Sequence, residues 1–148
     1  MPISTLGICP GPINRFFMSS GLQAISPVCR VVLVDDDDGV RAVLARMLRK
    51  ANFEVVEARN GYEGVQQSLE LVPDIVVSDL IMPGLDGRGV VRELRKSAAC
   101  TATPVLILTG SDSPENEEEL LALGANDFVS KGASPSVVIT RIYRLLGT

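Results

Sequence analysis

The sequence predicts an α/β fold: a doubly wound, five-stranded parallel sheet with helices on both faces. Three observations carry that reading. Short runs rich in Val, Ile and Leu alternate five times with segments whose apolar residues recur at helical spacing, the pattern of strand–helix–strand crossovers. The runs are apolar throughout rather than at every second residue, as strands covered on both faces are. Each run also ends abruptly on acidic, hydroxyl or glycine-rich turn residues. At 148 residues the chain is of single-domain size, and such a domain buries roughly 70% of its unfolded surface without needing disulfides or structural metal.

The elements follow in order. Residues 1–28 are punctured by Pro2, Cys9-Pro10-Gly11-Pro12, Ser19-Ser20-Gly21 and Ser26-Pro27, and read as a flexible N-terminal extension before a domain at 29–148. The segment lacks the basic start and unbroken apolar centre of a secretory signal. Met18 reads as an alternative start. Val31-Val32-Leu33-Val34 is the first buried strand and stops at Asp35-Asp36-Asp37-Asp38. Val40, Val43, Leu44, Met47, Leu48 and Ala51 then read as one face of a helix, with Arg41, Arg46 and Arg49 outside it and Asp37 or Asp38 as the N-cap. The second strand covers residues 53–56, and Asn60 caps a helix carrying Tyr62, Val65 and Leu69. The central strand, Ile75-Val76-Val77-Ser78, ends on Asp79 and the loop Leu80-Ile81-Met82-Pro83-Gly84-Leu85-Asp86-Gly87. Val90, Val91 and Leu94 form the next helix face. The fourth strand, from Val105 to Leu108, ends at Thr109-Gly110. Ser113-Pro114 starts a helix with Leu120, Leu121 and Leu123 inside, terminated by Gly124. A short fifth strand, Asp127-Phe128-Val129, precedes Ser130-Lys131-Gly132. The last helix starts at Ser134-Pro135 and carries Val138, Ile139, Ile142, Leu145 and Leu146.

A flavodoxin-like order, 2-1-3-4-5, puts strands one and three side by side at the topological switch point, where open α/β sheets bind ligands. Asp35, Asp36, Asp79, Thr109 and Lys131 then converge on the carboxyl edge. Two unit charges at 4 Å repel by about 4 kcal/mol at an effective dielectric of 20, so carboxylates gathered there call for a hard cation such as Mg²⁺. Metal, ammonium and hydroxyl around a carboxylate suit phosphoryl transfer, with Asp79 as nucleophile. Taken singly, each residue has a plainer reading. The Asp run serves as a helix cap, Thr109 as a strand end and Lys131 as a solvated loop residue.

Composition excludes several other chemistries. There is no histidine, which removes His-based acid–base catalysis, His metal ligands and nucleophile–His pairs. The net charge of −4, the absence of Trp and the lack of a basic stripe argue against a nucleic-acid surface. No apolar stretch is long enough to span a bilayer. Cys9, Cys29 and Cys100 form no metal-spaced pair and read as free thiols in a reducing, cytoplasmic setting, with Cys9–Cys29 pairing expected only in an exported chain.

Residues 30–146 resemble a response-regulator receiver domain of two-component signalling, of the chemotaxis-regulator type. The resemblance rests on Val34-Asp35-Asp36 followed five residues later by Arg41, on the loop from Asp79 to Gly87, on Thr109 and on Lys131. It implies that Asp79 accepts phosphate from a phosphohistidine on a histidine kinase or histidine phosphotransfer protein. Asp36, Asp79 and the carbonyl of Ile81 would ligate Mg²⁺, with Asp35 assisting. Thr109 and Lys131 would bind phosphoryl oxygens, and Phe128 would be the aromatic that follows phosphorylation. A downstream protein target and a monomer or phosphorylation-dependent dimer are implied as well. The chain departs from the family at Gly132, where Pro is usual, and at Ala133, where a larger residue is usual. A cis bond without proline costs roughly 2.5–4 kcal/mol, so a trans bond is expected there, resetting the reach of Lys131. Ile81 and Ser111 occupy positions that tune phosphate lifetime, and Gly110 is expected to leave the site open. Three readings follow: a phosphorylation-controlled binding module rather than an enzyme, either stand-alone or part of a larger hybrid kinase or regulator; a Mg²⁺-dependent aspartyl-phosphate phosphatase, against which Ile81 stands in place of an acid; and a receiver that works without phosphate.

Overall fold

The computed structural model describes residues 16–18, 25–110 and 114–147. Two short strands, β1 (Phe16–Met18) and β2 (Ile25–Pro27), pair antiparallel. The remainder of the sequence read as an N-terminal extension lies outside the described residues, as do Ser111 and Ser113. The main sheet comprises β3 (Arg30–Val34), β4 (Glu54–Ala58), β5 (Ile75–Asp79), β6 (Val105–Thr109) and β7 (Asp127–Ser130). All its pairings are parallel, in the order β4-β3-β5-β6-β7. Counted within this sheet, that is the expected 2-1-3-4-5.

Five helices connect the strands: α1 (Asp38–Lys50), α2 (Gly61–Leu71), α3 (Gly87–Lys96), α4 (Pro114–Leu123) and α5 (Pro135–Leu146). Successive residues of a strand point to opposite faces, so β3 feeds two cores. Val31 and Leu33 pack with Leu44, Leu48, Val138 and Ile142 of α1 and α5. Val32 and Val34 join Val90, Val91, Leu94 and Leu120 of α3 and α4. This explains the uninterrupted apolar runs. None of the described helices is long and apolar enough to cross a membrane.

Several local expectations need correction. Val40 and Val43 of α1 are 40% and 50% exposed, and the buried face is Arg41, Leu44, Ala45 and Leu48. A buried guanidinium replaces the expected valines because it finds acceptors on the loop after β3 and on β4. On α2, Tyr62 is 65% exposed and Leu69 also faces solvent, while Gly61, Gly64 and Ser68 are buried. The helix lies so close to β3 that a Cβ on Gly64 would fall 2.6 Å from Val34 Cγ2. Small residues therefore make the contact that the apolar periodicity assigned to larger ones. Leu121 of α4 is exposed, whereas Leu120 is fully buried. Cys29 is disulfide-bonded rather than a free thiol, Cys100 is buried and free, and Cys9 lies outside the described residues.

The start of α3 is set by close packing. Asp86 caps it, accepting from the Gly89 amide at 3.0 Å. A Cβ on Gly87 would lie 2.7 Å from the Asp79 carbonyl oxygen and 2.9 Å from Leu80 Cα. Both are main-chain atoms and cannot rotate away. Gly87→Ala is therefore expected to destabilise the protein by about 2 kcal/mol through overpacking, despite the roughly 1 kcal/mol that alanine gains in helix propensity. Urea unfolding of the two proteins checks this, and an alanine variant as stable as the parent would refute the packing argument.

Candidate functional site

The carboxyl ends of β3 and β5 lie next to each other, in register Val34↔Ser78. One step further, Asp35 stands across from Asp79. Carboxylate oxygens of Asp35, Asp36 and Asp79 all lie within 4.8 Å of one another. Asp35 is 1% and Asp79 3% exposed, while Asp36 is on the surface. Two deeply buried acids with an exposed third form a pocket whose inner wall is dry and whose mouth is wet.

Lys131 reaches this cluster from the loop after β7. Its Nζ donates to Asp79 Oδ2 at 2.8 Å and lies 3.7 Å from Asp35 Oδ1. The loop is held by the Lys131 amide, which donates to the Thr109 carbonyl at 2.6 Å. Gly132 does not shorten the reach of the lysine, and among the described residues no peptide bond is cis, so the expected trans loop still delivers the ammonium. Thr109 ends β6, paired with Ser130 and 2% exposed. Phe128 is half-buried on β7, opposite Ile107, and packs against the α3–α4 side of the core. Ile81 sits in the β5–α3 loop between buried Leu80 and Met82 and is 66% exposed. A Cβ on Gly110 would meet nothing within 4 Å.

The electrostatics match this geometry. Burial raises the Asp35 carboxyl above its ordinary value. The Asp37 amide, donating to Oδ1 at 2.9 Å, works against the shift, and the Asp79 charge adds to it. Burial by itself would lower Lys131, but its hydrogen bond to Asp79 and the charges of Asp79, Asp35 and Asp36 outweigh that and hold it above the ordinary lysine value. A carboxyl pushed upward by burial and by a neighbouring carboxylate marks a site whose charges call for a cation. Three carboxylates within reach of one point could hold a hard divalent cation.

The sequence placed Arg41 outside the site and on the outer face of α1. In the structure it is 8% exposed and lies directly behind the acidic loop. Its Nη1 donates to the Asp35 main-chain oxygen at 2.7 Å, its Nη2 to Asp38 Oδ1 at 2.7 Å and its Nε to Glu57 Oε1 at 3.1 Å. Its spacing after the acids was the one available signal. Beside Lys131, a cavity of about 460 Å³ opens between α1 and α5, lined by Gly39, Val40, Val43, Ala133, Pro135 and Val138 among others. This cavity had no counterpart in the sequence reading.

Residues 31–143 match the family model of the response regulator receiver domain. The chain belongs to that family. Protein PilH of Pseudomonas aeruginosa is 33% identical over 119 residues, covering 80% of this chain and 98% of the relative. Transcriptional regulatory protein ResD of Bacillus subtilis is 34% identical over 117 residues, covering 79% of this chain but 48% of the relative. The receiver therefore spans nearly all of one relative and about half of the other. Among solved structures, Vibrio cholerae chemotaxis protein CheY4 superposes with a TM-score of 0.77 at 30% identity, covering 80% of this chain and 98% of that one. The protein is thus a receiver-domain module of the two-component type.

The raised Asp35 carboxyl has a consequence for stability. The folded state binds its proton more tightly than the unfolded state, whose value is near 3.8. Between that value and the raised one the folded protein holds more protons, so metal-free stability falls as pH rises through the window. Asp35→Asn removes the buried charge, keeps an acceptor for the Asp37 amide, and is expected to stabilise the metal-free receiver at pH 7 by roughly 1 kcal/mol. Urea titrations in EDTA at several pH values check both the gain and its disappearance in acid. A loss of stability at neutral pH would contradict the repulsion argument.

Proposed function

We propose that this receiver is a phosphoacceptor: Asp79 takes a phosphoryl group from a protein phosphohistidine with Mg²⁺ bound at Asp35, Asp36 and Asp79. The observation that carries the reading is Lys131 Nζ, 2.8 Å from Asp79 Oδ2, beside two further carboxylates at the edge of a receiver fold. An oxygen of Asp79 forms the new P–O bond while the donor's P–N bond breaks. The bonding pair leaves with the imidazole nitrogen, which takes a proton from water. Mg²⁺, when bound, offsets negative charge on the phosphoryl oxygens, and the main-chain carbonyl of Ile81 is a further candidate ligand. Lys131 supplies a second positive charge and Thr109 a hydroxyl donor. Occupancy of the site would draw Thr109 inward and repack Phe128, altering a partner surface near β7 and its flanking helices.

The apolar cavity beside Lys131, with exposed Val40 and Val43 on its rim, supports a protein donor, because a helix bearing the phosphohistidine needs a surface to rest on. The partners in this reading are a histidine kinase or phosphotransfer protein upstream and a protein target downstream, with the receiver a monomer or a phosphorylation-dependent dimer. An ATP-using kinase implies the cytoplasm. The Cys29 disulfide is atypical of that compartment and lies outside the matched residues 31–143. Coverage of PilH supports a stand-alone regulator, and half-coverage of ResD supports a receiver within a longer protein. The exposed, apolar Ile81 offers no general acid beside the acceptor, which favours the acceptor over a turnover phosphatase.

Intact mass after incubation with acetyl phosphate and Mg²⁺ tests the proposal. One phosphoryl adduct is expected on the wild type, and none on Asp79→Asn or in EDTA. Beryllofluoride binding covers the case of a short-lived adduct. A wild-type protein that binds neither Mg²⁺ nor beryllofluoride and takes no phosphate would overturn the reading.

A further inference from the structure

We infer that Arg41 is a positioning residue for the metal site, acting through the main chain of Asp35. The inference rests on the phosphoacceptor reading above and extends it to a residue that touches none of the proposed ligand oxygens.

Three anchors hold Asp35. Its amide donates to the Ala58 carbonyl at 3.1 Å, its carboxylate accepts from the Asp37 amide at 2.9 Å, and its carbonyl accepts from Arg41 Nη1 at 2.7 Å. The last of these orients the Asp35–Asp36 peptide plane, from which the exposed Asp36 carboxylate projects. Asp36 is solvated and has no described hydrogen bond of its own, so its direction depends on that plane. Arg41 is the brace that joins the acidic loop to α1 through Asp38 and to β4 through Glu57.

Charge and geometry make opposite predictions here. As a nearby cation, Arg41 would weaken Mg²⁺ binding, and its removal would tighten it. As a brace, its removal would weaken binding. Two anions outside the cluster, Asp38 at 2.7 Å and Glu57 at 3.1 Å, already balance the guanidinium, and their hydrogen bonds and charges raise its pKa against the effect of burial. The geometric role therefore dominates. Only the planar fork reaches three separate acceptors; a lysine keeps the charge but cannot span them.

The test is Mg²⁺ affinity by calorimetry, with thermal unfolding in EDTA, on the full chain and on Arg41→Lys, Arg41→Met and Arg95→Met. Arg95 is a second half-buried fork. It holds the carbonyls of Cys100 and Gly124 and the side chain of Asn126, on loops at the opposite edge of the sheet, and so controls for lost stability alone. Both Arg41 variants are expected to bind Mg²⁺ about tenfold or more weakly, the usual cost of losing an outer-shell partner, while Arg95→Met keeps wild-type affinity. Tighter or unchanged binding in Arg41→Met would overturn the inference, as would wild-type affinity in Arg41→Lys or an equal loss in Arg95→Met. Wild-type protein that binds no Mg²⁺ at all would instead overturn the phosphoacceptor reading beneath it.

Discussion

Asp35 and Asp79 are two acids with almost no exposure, set across from each other on adjacent strand ends. Such a pairing costs stability rather than adding to it. Burial disfavours the ionised form of Asp35, and the Asp79 charge adds to that. Much of the surrounding structure can be understood as what makes this pairing tolerable. Lys131 crosses from β7 to Asp79, the Asp37 amide turns back onto Asp35, and Arg41 braces the Asp35 carbonyl from behind. The parallel sheet matters because its carboxyl ends gather these residues from segments far apart in the chain.

That arrangement also ties the site to the rest of the sheet. The Lys131 amide bonds to Thr109 at the end of β6, so the ammonium and the hydroxyl share one piece of backbone. Phe128 lies three residues before Lys131 and packs into the α3–α4 side of the core. A change at Asp79 that moved Lys131 or Thr109 would act directly on the strands carrying both. On the other side, Gly87 brings the start of α3 against the Asp79 backbone, leaving Asp79 little room to shift.

The sequence was informative in proportion to how local each signal was. The five apolar runs and their terminal acids were legible because burial on both faces and strand-end turns leave local patterns. Helix caps at Asp37 and Asn60 were legible for the same reason, whereas the cap at Asp86 was not read. Helix faces were not. Apolar periodicity favoured Val40, Val43 and Tyr62 as buried, yet the structure buries Arg41, Gly61, Gly64 and Ser68 instead. How closely a helix approaches a sheet, and whether an arginine finds acceptors on other strands, are properties of packing. Neither is written in the spacing of one helix.

By itself, the sequence determined the fold class and the residue types at each strand end. Those follow from hydrophobic patterning and turn chemistry, which operate over a few residues. Only the tertiary structure decided that Asp35, Asp36 and Asp79 share one pocket, that Lys131 closes on it despite Gly132, that Arg41 turns inward and that a cavity opens beside α1. Those depend on distances between segments separated by tens of residues, which exist only once the sheet has brought the strand ends together.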